Sequence, residues 1–278
     1  MNRTTRLMLM LLCTLALAVA GWAQGRGVTI HGIDKDSASA CSGLPSHGAL
    51  QVALNSAVSE EISGLNLHMW ATIVDRDGIV CAVAFSGTDR GAQWPGSRVI
   101  SAQKANTANA FSLDSASSSV GSGATGGLAL STANLYSAVQ PGGSLFGLQE
   151  SNPVSPTVAY KGPSTNYGRA NDPMVGNKIG GVNVFGGGLA LYAAGAKVVG
   201  GLGVSGDTSC ADHRIAWRLR HNLNLDQLAG VGGVSGDTTR PDNIVFDIDS
   251  NTGKSAGGFG HPGCLNESGL LTDLPVVR

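Results

Sequence analysis

The sequence predicts a globular domain that mixes α-helices with β-hairpins, and three observations carry that prediction. Leu50, Ala53, Leu54, Ala57, Val58 and Ile62 recur at helical spacing. The β-rich runs 68–74 and 79–85 are joined by the turn Asp75-Arg76-Asp77-Gly78, a hairpin signal. Further on, 180–206 reads as an apolar strand, a turn, a second apolar strand and a glycine-rich corner. With 278 residues, 42% of them hydrophobic and 13% charged, the chain has room for one large domain or two small ones and is not disordered.

Residues 1–23 have the three parts of a secretory signal peptide: Arg3 and Arg6, the apolar run 7–20, and small residues before Gln24. The run is too short for a comfortable transmembrane span; cleavage after Ala20 or after Ala23 would fit, and an uncleaved anchor is the alternative. The mature protein is therefore expected to be soluble, in the periplasm or outside the cell, without a membrane partner. A net charge of −1 supplies no cationic patch for nucleic acid.

Cys13 lies in the signal segment, which leaves Cys41, Cys81, Cys210 and Cys264. An even number in an exported chain suggests two disulfides. Four cysteines permit three connectivities and the sequence alone does not choose; we favour Cys210 with Cys264 and Cys41 with Cys81, free buried thiols being the alternative. No C-x-x-C-H is present to attach a c-type haem.

Residues 24–45 read as an extended leader and 46–229 as the main domain. Its first helix has Ser46 as N-cap and Gly64 where a left-handed residue would end it. Asp75 and Asp77 are better explained by turn chemistry than by catalysis. After the loop 86–96 a helix is expected over 97–111, with Ile100, Lys104, Thr107, Ala108 and Phe111 on one face. Lys104 is then either a contact for a ligand anion or a snorkelling lysine with a buried stem. Residues 112–127 read as a loop and 128–139 as a helix ended by Pro141-Gly142-Gly143. The stretch 152–178, with four prolines and no period, reads as a long surface insertion, either a functional lid or oligomer arm or a disordered segment.

The strands of 180–206 lead into a helix that begins with Ser209 and Asp212 as a capping box and buries Ala211, Ile215 and Leu219. His213, Trp217, Arg220 and His221 fall on another face, which would hold a planar aromatic ligand or a carboxylate, or be a solvated face with one packed tryptophan. Residues 230–278 read as a carboxy-terminal extension packed on the domain, with a short strand at 244–246 and a constrained loop at 257–264. If Cys264 pairs with Cys210, His261 and His213 are drawn to the same region.

The runs Ala71-Thr72-Ile73-Val74-Asp75-Arg76-Asp77-Gly78 and Lys104-Ala105-Asn106-Thr107-Ala108-Asn109-Ala110-Phe111 carry a family pattern. So does Gly180-Gly181-Val182 leading to Val198-Val199-Gly200-Gly201-Leu202-Gly203-Val204-Ser205-Gly206. Together these resemble the GlcG/HbpS heme-binding family, and the module is similar to the carboxy-terminal domain of PduO proteins, over roughly residues 46–222. The resemblance implies an α+β, profilin-like layered fold, with an antiparallel sheet of about five strands flanked by helices, and homo-oligomers. It also implies haem or another tetrapyrrole as ligand, with some extracellular members serving signalling systems as haem or redox accessories. The insertion 152–178, the extension Cys210-Ala211-Asp212-His213 and the tail near Cys264 depart from short members, so no iron ligand is carried over.

Three functions are open. The leading one is an exported protein that binds haem non-covalently, with a histidine on the iron and Arg or Lys on the propionates. His213 and His261 are the first candidates, His221 and His68 the next, and Lys104 and Arg220 the cations. The second is a small-metabolite enzyme of glycolate or diol catabolism, although no G-x-S-x-G, H-E-x-x-H or P-loop is present. The third is an oligomeric structural module.

Overall fold

The computed structural model describes residues 40–115, 126–265, 267 and 271–278. The expected signal peptide and residues 24–39 of the leader lie outside them.

Helix α1 (His47–Ser59) starts at Ser46, whose hydroxyl accepts from Ala49 N–H at 3.3 Å. It ends a turn earlier than its apolar spacing suggests: Glu60 is the C-cap, Gly64 (φ 67°) sits in the turn beyond, and Ile62 is exposed. The hairpin follows as β1 (Trp70–Asp75) and β2 (Val80–Phe85). Asp75 is a turn residue, its Oδ1 accepting from Asp77 N–H at 3.0 Å and Ile79 N–H at 2.7 Å.

Helix α2 (Ser97–Phe111) is followed by the short strand β3 (Leu128–Ala129). The helix expected over 128–139 is instead this strand and two 3₁₀ turns, Thr132–Leu135 and Ser137–Val139. Asn134 decides it locally, because its side chain accepts from Ser131 N–H and hydroxyl and so competes with helical bonding. The insertion carries short helical turns, α3 (Leu148–Ser151) before it and α4 (Pro156–Ala159) within it. It is packed: Ala159 and Met174 are buried against Trp70, Val83 and Phe85. Arg98 reaches into it, donating through Nε to Asp172 Oδ2 at 2.8 Å and through Nη1 to Ala159 O at 2.7 Å. The aperiodic stretch is thus tied to the domain by apolar packing and by one buried cation.

Strands β4 (Gly188–Ala193) and β5 (Lys197–Ser205) complete the main sheet, and α5 (Ser209–Asn222) follows. The sheet has four antiparallel strands in the order β2-β1-β5-β4, where about five were expected; β3 forms a separate parallel pair with β6 (Gly232–Gly233). The segment 244–246 makes no strand, although Ile244 is buried. The result is an α+β layered fold. Helices α1 and α5 cover one sheet face, burying Ala71, Ile73, Leu189, Leu191, Leu202 and Val204, and α2 covers the other.

The glycines of β5 are explained by α2. A Cβ on Gly203 would lie 1.9 Å from Ser101 O, and one on Gly201 2.2 Å from Ala105 O, so helix backbone rests on bare strand. The chain is stapled by Cys41–Cys81 and Cys210–Cys264, the favoured pairing. Among the described residues no helix is long and apolar enough to cross a membrane.

Candidate functional site

Two places in this fold gather chemistry. The first is the amino-terminal end of α5. Thr208, not Ser209, is the N-cap there, its hydroxyl accepting from Ala211 N–H. Ser209 and Asp212, expected as a capping box, are thereby released for other partners. Ser209 Oγ accepts from Gly186 N–H at 2.6 Å and lies 2.7 Å from His261 Nε2. His261 Nδ1 lies 2.7 Å from Pro262 O, which can only accept, so Nδ1 carries the proton and Nε2 the lone pair. Asp212 receives Asp207 N–H on Oδ1 and Lys104 Nζ on Oδ2 at 2.7 Å.

Lys104 is neither snorkelling nor open to a ligand. It is fully buried, donates also to Val204 O at 3.0 Å, and its ammonium lies 4.5 Å from the Phe185 ring centre. Burial lowers its pKa and Asp212 opposes the fall; burial likewise raises Asp212 to about 6 against the pull of Lys104.

His213 is fully buried and neither ring nitrogen has a hydrogen-bond partner. Burial pushes it down to about 3, the charges of Arg220 and His261 adding to the fall and the neighbouring Asn243 amide opposing it without reaching bonding geometry. His261 is pushed down to about 4, again chiefly by burial. Both imidazoles are neutral at physiological pH.

The six expected site residues divide among four places. His213, His261 and Lys104 come together at the start of α5. Arg220 lies further along it, buried, donating to Asp242 Oδ2 at 2.6 Å and Oδ1 at 3.0 Å and stacked 4.6 Å from the Trp217 ring centre. The face carrying His213, Trp217 and Arg220 is therefore interior, not solvated. His221, at the far end, lies 2.7 Å from Asp226 and 2.9 Å from Arg278 Nη2. His68 is exposed, with Nδ1 3.1 Å from Ser86 Oγ.

The second place is a cleft of about 690 Å³ on the α2 side of the sheet, walled by Trp70, Arg90, Pro95, Tyr160 and Tyr167. Its floor is rigid: Trp70 packs edge-on against Phe85 and donates Nε1–H to Trp94 O at 3.0 Å. One wall is fixed by Arg98, whose guanidinium stacks 3.6 Å from the Tyr167 ring centre while it holds Asp172. Tyr160 is 69% exposed at the rim. Sequence reasoning missed these residues because they come from β1, the loop 86–96 and the aperiodic insertion; the one signal was the presence of tyrosines in a stretch whose open readings were a lid, an oligomer arm or a disordered segment. A smaller cleft of about 450 Å³ lies between Tyr136, Gln140, Lys254 and Phe259.

Solved structures that share part of the chain include Klebsiella pneumoniae protein ORFY, at 22% identity over 64% of this chain and 90% of that one, TM-score 0.41. A PduOC:heme complex matches at 23% identity over 64% and 91%, TM-score 0.40, and a double mutant of Streptomyces reticuli HbpS at 19% over 64% and 85%, TM-score 0.36. No curated protein matches the chain. The family assignment rests on a different comparison: the model described as "Haem degrading protein HbpS-like" matches residues 48–219, from the start of α1 almost to the end of α5. Spanning well over half of the sequence and every strand of the main sheet, that match places the chain in the HbpS-like family.

Proposed function

We propose that this protein handles haem or a related tetrapyrrole, binding it non-covalently in the cleft between Trp70, Arg90, Tyr160 and Tyr167. The observation that carries the reading is the family match over residues 48–219, whose description names haem. The cleft fits the group. Its volume is in the range of small-molecule sites, its walls are aromatic, and Arg90 offers a fork that suits a carboxylate. The surroundings of His213 fit it less well, since a macrocycle would have to displace the α5 core to reach either ring nitrogen. In the cleft, Tyr167 would take a ring face and Arg90 a propionate above the Trp70 floor, while Tyr160 would close the rim. The bound group would supply iron redox chemistry; this chain supplies apolar walls, orientation and charge.

Export, through residues 1–23, and assembly into homo-oligomers are part of the same proposal. Two disulfides support an oxidising compartment.

The test is a hemin titration of the mature protein followed by its Soret band. We expect saturation at one hemin per chain, with affinity falling about tenfold or more in Arg90→Ala and in Tyr160→Ala. Absence of a saturable band overturns haem binding. A band that survives both substitutions and is lost in His261→Ala moves the site to the start of α5.

The family description also favours a second reading, turnover of the bound macrocycle. Loss of the Soret band on adding a reductant or peroxide, with release of iron, would establish it.

A further inference from the structure

The two disulfides sit in different chemical settings. Among the described residues, Cys210, Cys264 and His261 form the one group of metal-binding side chains whose donor atoms converge, all lying within 4.8 Å of one another. The Cys41–Cys81 bridge has no such neighbour there. We propose that the Cys210–Cys264 disulfide is the oxidised form of a metal site, in which Cys210 Sγ, Cys264 Sγ and His261 Nε2 bind a thiophilic divalent ion such as Zn2+ once a dithiol has reduced the bond.

Four features of the chain prepare that site. Pro262 O holds the Nδ1 proton of His261, so Nε2 is left as the ligating atom and the ring is already oriented. Cys210 lies in the first turn of α5, where the helix dipole favours a thiolate. Cys210 N–H already points at Cys264 Sγ, at 3.1 Å, and that donor would stabilise negative charge on the second sulfur. The charges also balance, because two thiolates and a neutral imidazole around a divalent ion form a neutral unit, which suits the mostly buried surroundings. Ser209 Oγ, now 2.7 Å from Nε2, gives up that contact when the ion binds and keeps its bond from Gly186 N–H. With three protein ligands, the fourth tetrahedral position is left for water or for the Ser209 hydroxyl.

Access is asymmetric. Cys264 is partly exposed and Cys210 is buried, so an external dithiol attacks Cys264 Sγ. That forms a mixed disulfide and releases Cys210 as the thiolate that the helix end stabilises. The second thiol of the reductant then closes its own disulfide and releases Cys264. Two electrons and two protons come from the dithiol, and the ion displaces the thiol protons when it binds.

The experiment uses the mature chain carrying Cys41→Ser and Cys81→Ser, reduced with dithiothreitol, freed of reductant under nitrogen, and titrated with Co2+ as the optical probe. We expect one Co2+ per chain, with thiolate-to-metal charge-transfer and tetrahedral ligand-field bands that Zn2+ abolishes by displacement. The unreduced protein should show none. Cys264→Ser should at least halve the charge-transfer band, and His261→Gln should weaken Co2+ binding at least about tenfold. No band in the reduced protein, or a band unchanged in His261→Gln, overturns the proposal. Should the doubly substituted chain fail to fold by near-ultraviolet circular dichroism, the reduced wild-type chain is alkylated with and without Zn2+. Protection of Cys210 and Cys264 but not of Cys41 and Cys81 then supports the site, and equal labelling of all four overturns it.

Discussion

Lys104 Nζ and Asp212 Oδ2 lie 2.7 Å apart with both side chains sealed from solvent, joining α2 on one face of the sheet to α5 on the other. The bond passes the end of β5, where Val204 O takes a second Lys104 proton. Removing one partner leaves the other charge buried. Lys104→Met should destabilise the protein by about 3–5 kcal/mol, whereas the double variant Lys104→Met/Asp212→Leu should lose clearly less, because no orphan charge remains. Urea unfolding of the two variants checks this; equal losses would show that the pair acts through packing rather than charge.

His213 predicts a dependence on acid. Its folded-state pKa of about 3 is far below the 6.5 of an exposed imidazole, so the unfolded chain takes up the proton first as the pH falls. Its contribution to stability is therefore complete above about pH 6.5 and is lost progressively towards about pH 3. His261, at about 4, acts in the same direction. His213→Leu should flatten the fall in urea midpoint between pH 7.5 and pH 5. An unchanged slope would exclude His213 as its source.

Two glycines, one in β5 and one in α1, predict opposite outcomes. Gly203→Ala places a methyl against Ser101 O and Ala105 N, backbone atoms that cannot rotate away, and should cost about 2–3 kcal/mol or prevent folding. Gly48→Ala meets nothing within 4 Å near the start of α1 and should be neutral or stabilise by up to about 1 kcal/mol. Thermal unfolding of both variants reads the difference.

Arg98 and Asp172 predict how the insertion is held. Asp172 also accepts from Gly168 N–H at 2.7 Å and Met174 N–H at 2.9 Å. Asp172→Ala strands a buried guanidinium and two amides, so it should destabilise by about 3–5 kcal/mol. It should also loosen Tyr167, which Arg98 stacks upon, and so weaken hemin binding. Faster proteolysis within 152–178 is the accompanying readout.

The hairpin and α1 were legible because their signals are local. Asp75 and Gly78 make the turn with atoms a few residues away, and Ser46 caps the helix it precedes. The helix expected over 128–139 failed on a side chain that outcompeted periodicity, Asn134 bonding back to Ser131. His213 and His261 were expected in one region because Cys210 and Cys264 were expected to pair, and they meet there; that they are buried and neutral depended on Lys104, Arg220 and the core around them.

By itself the sequence determined the family pattern, the mixture of helix and hairpin and the even cysteine count, since period, turn chemistry and residue type are written along the chain; the pairing of the four cysteines came from the fold. Tertiary structure alone decided what the buried charged residues do. Lys104 is an ion-pair partner because α5 brings Asp212 to it from 108 residues away. The cleft is assembled from distant stretches, with Arg98 holding Asp172 and stacking on Tyr167 where that ring faces Trp70 and Arg90. Burial and long-range pairing fix charge state and access, and neither is a property of any single stretch of sequence.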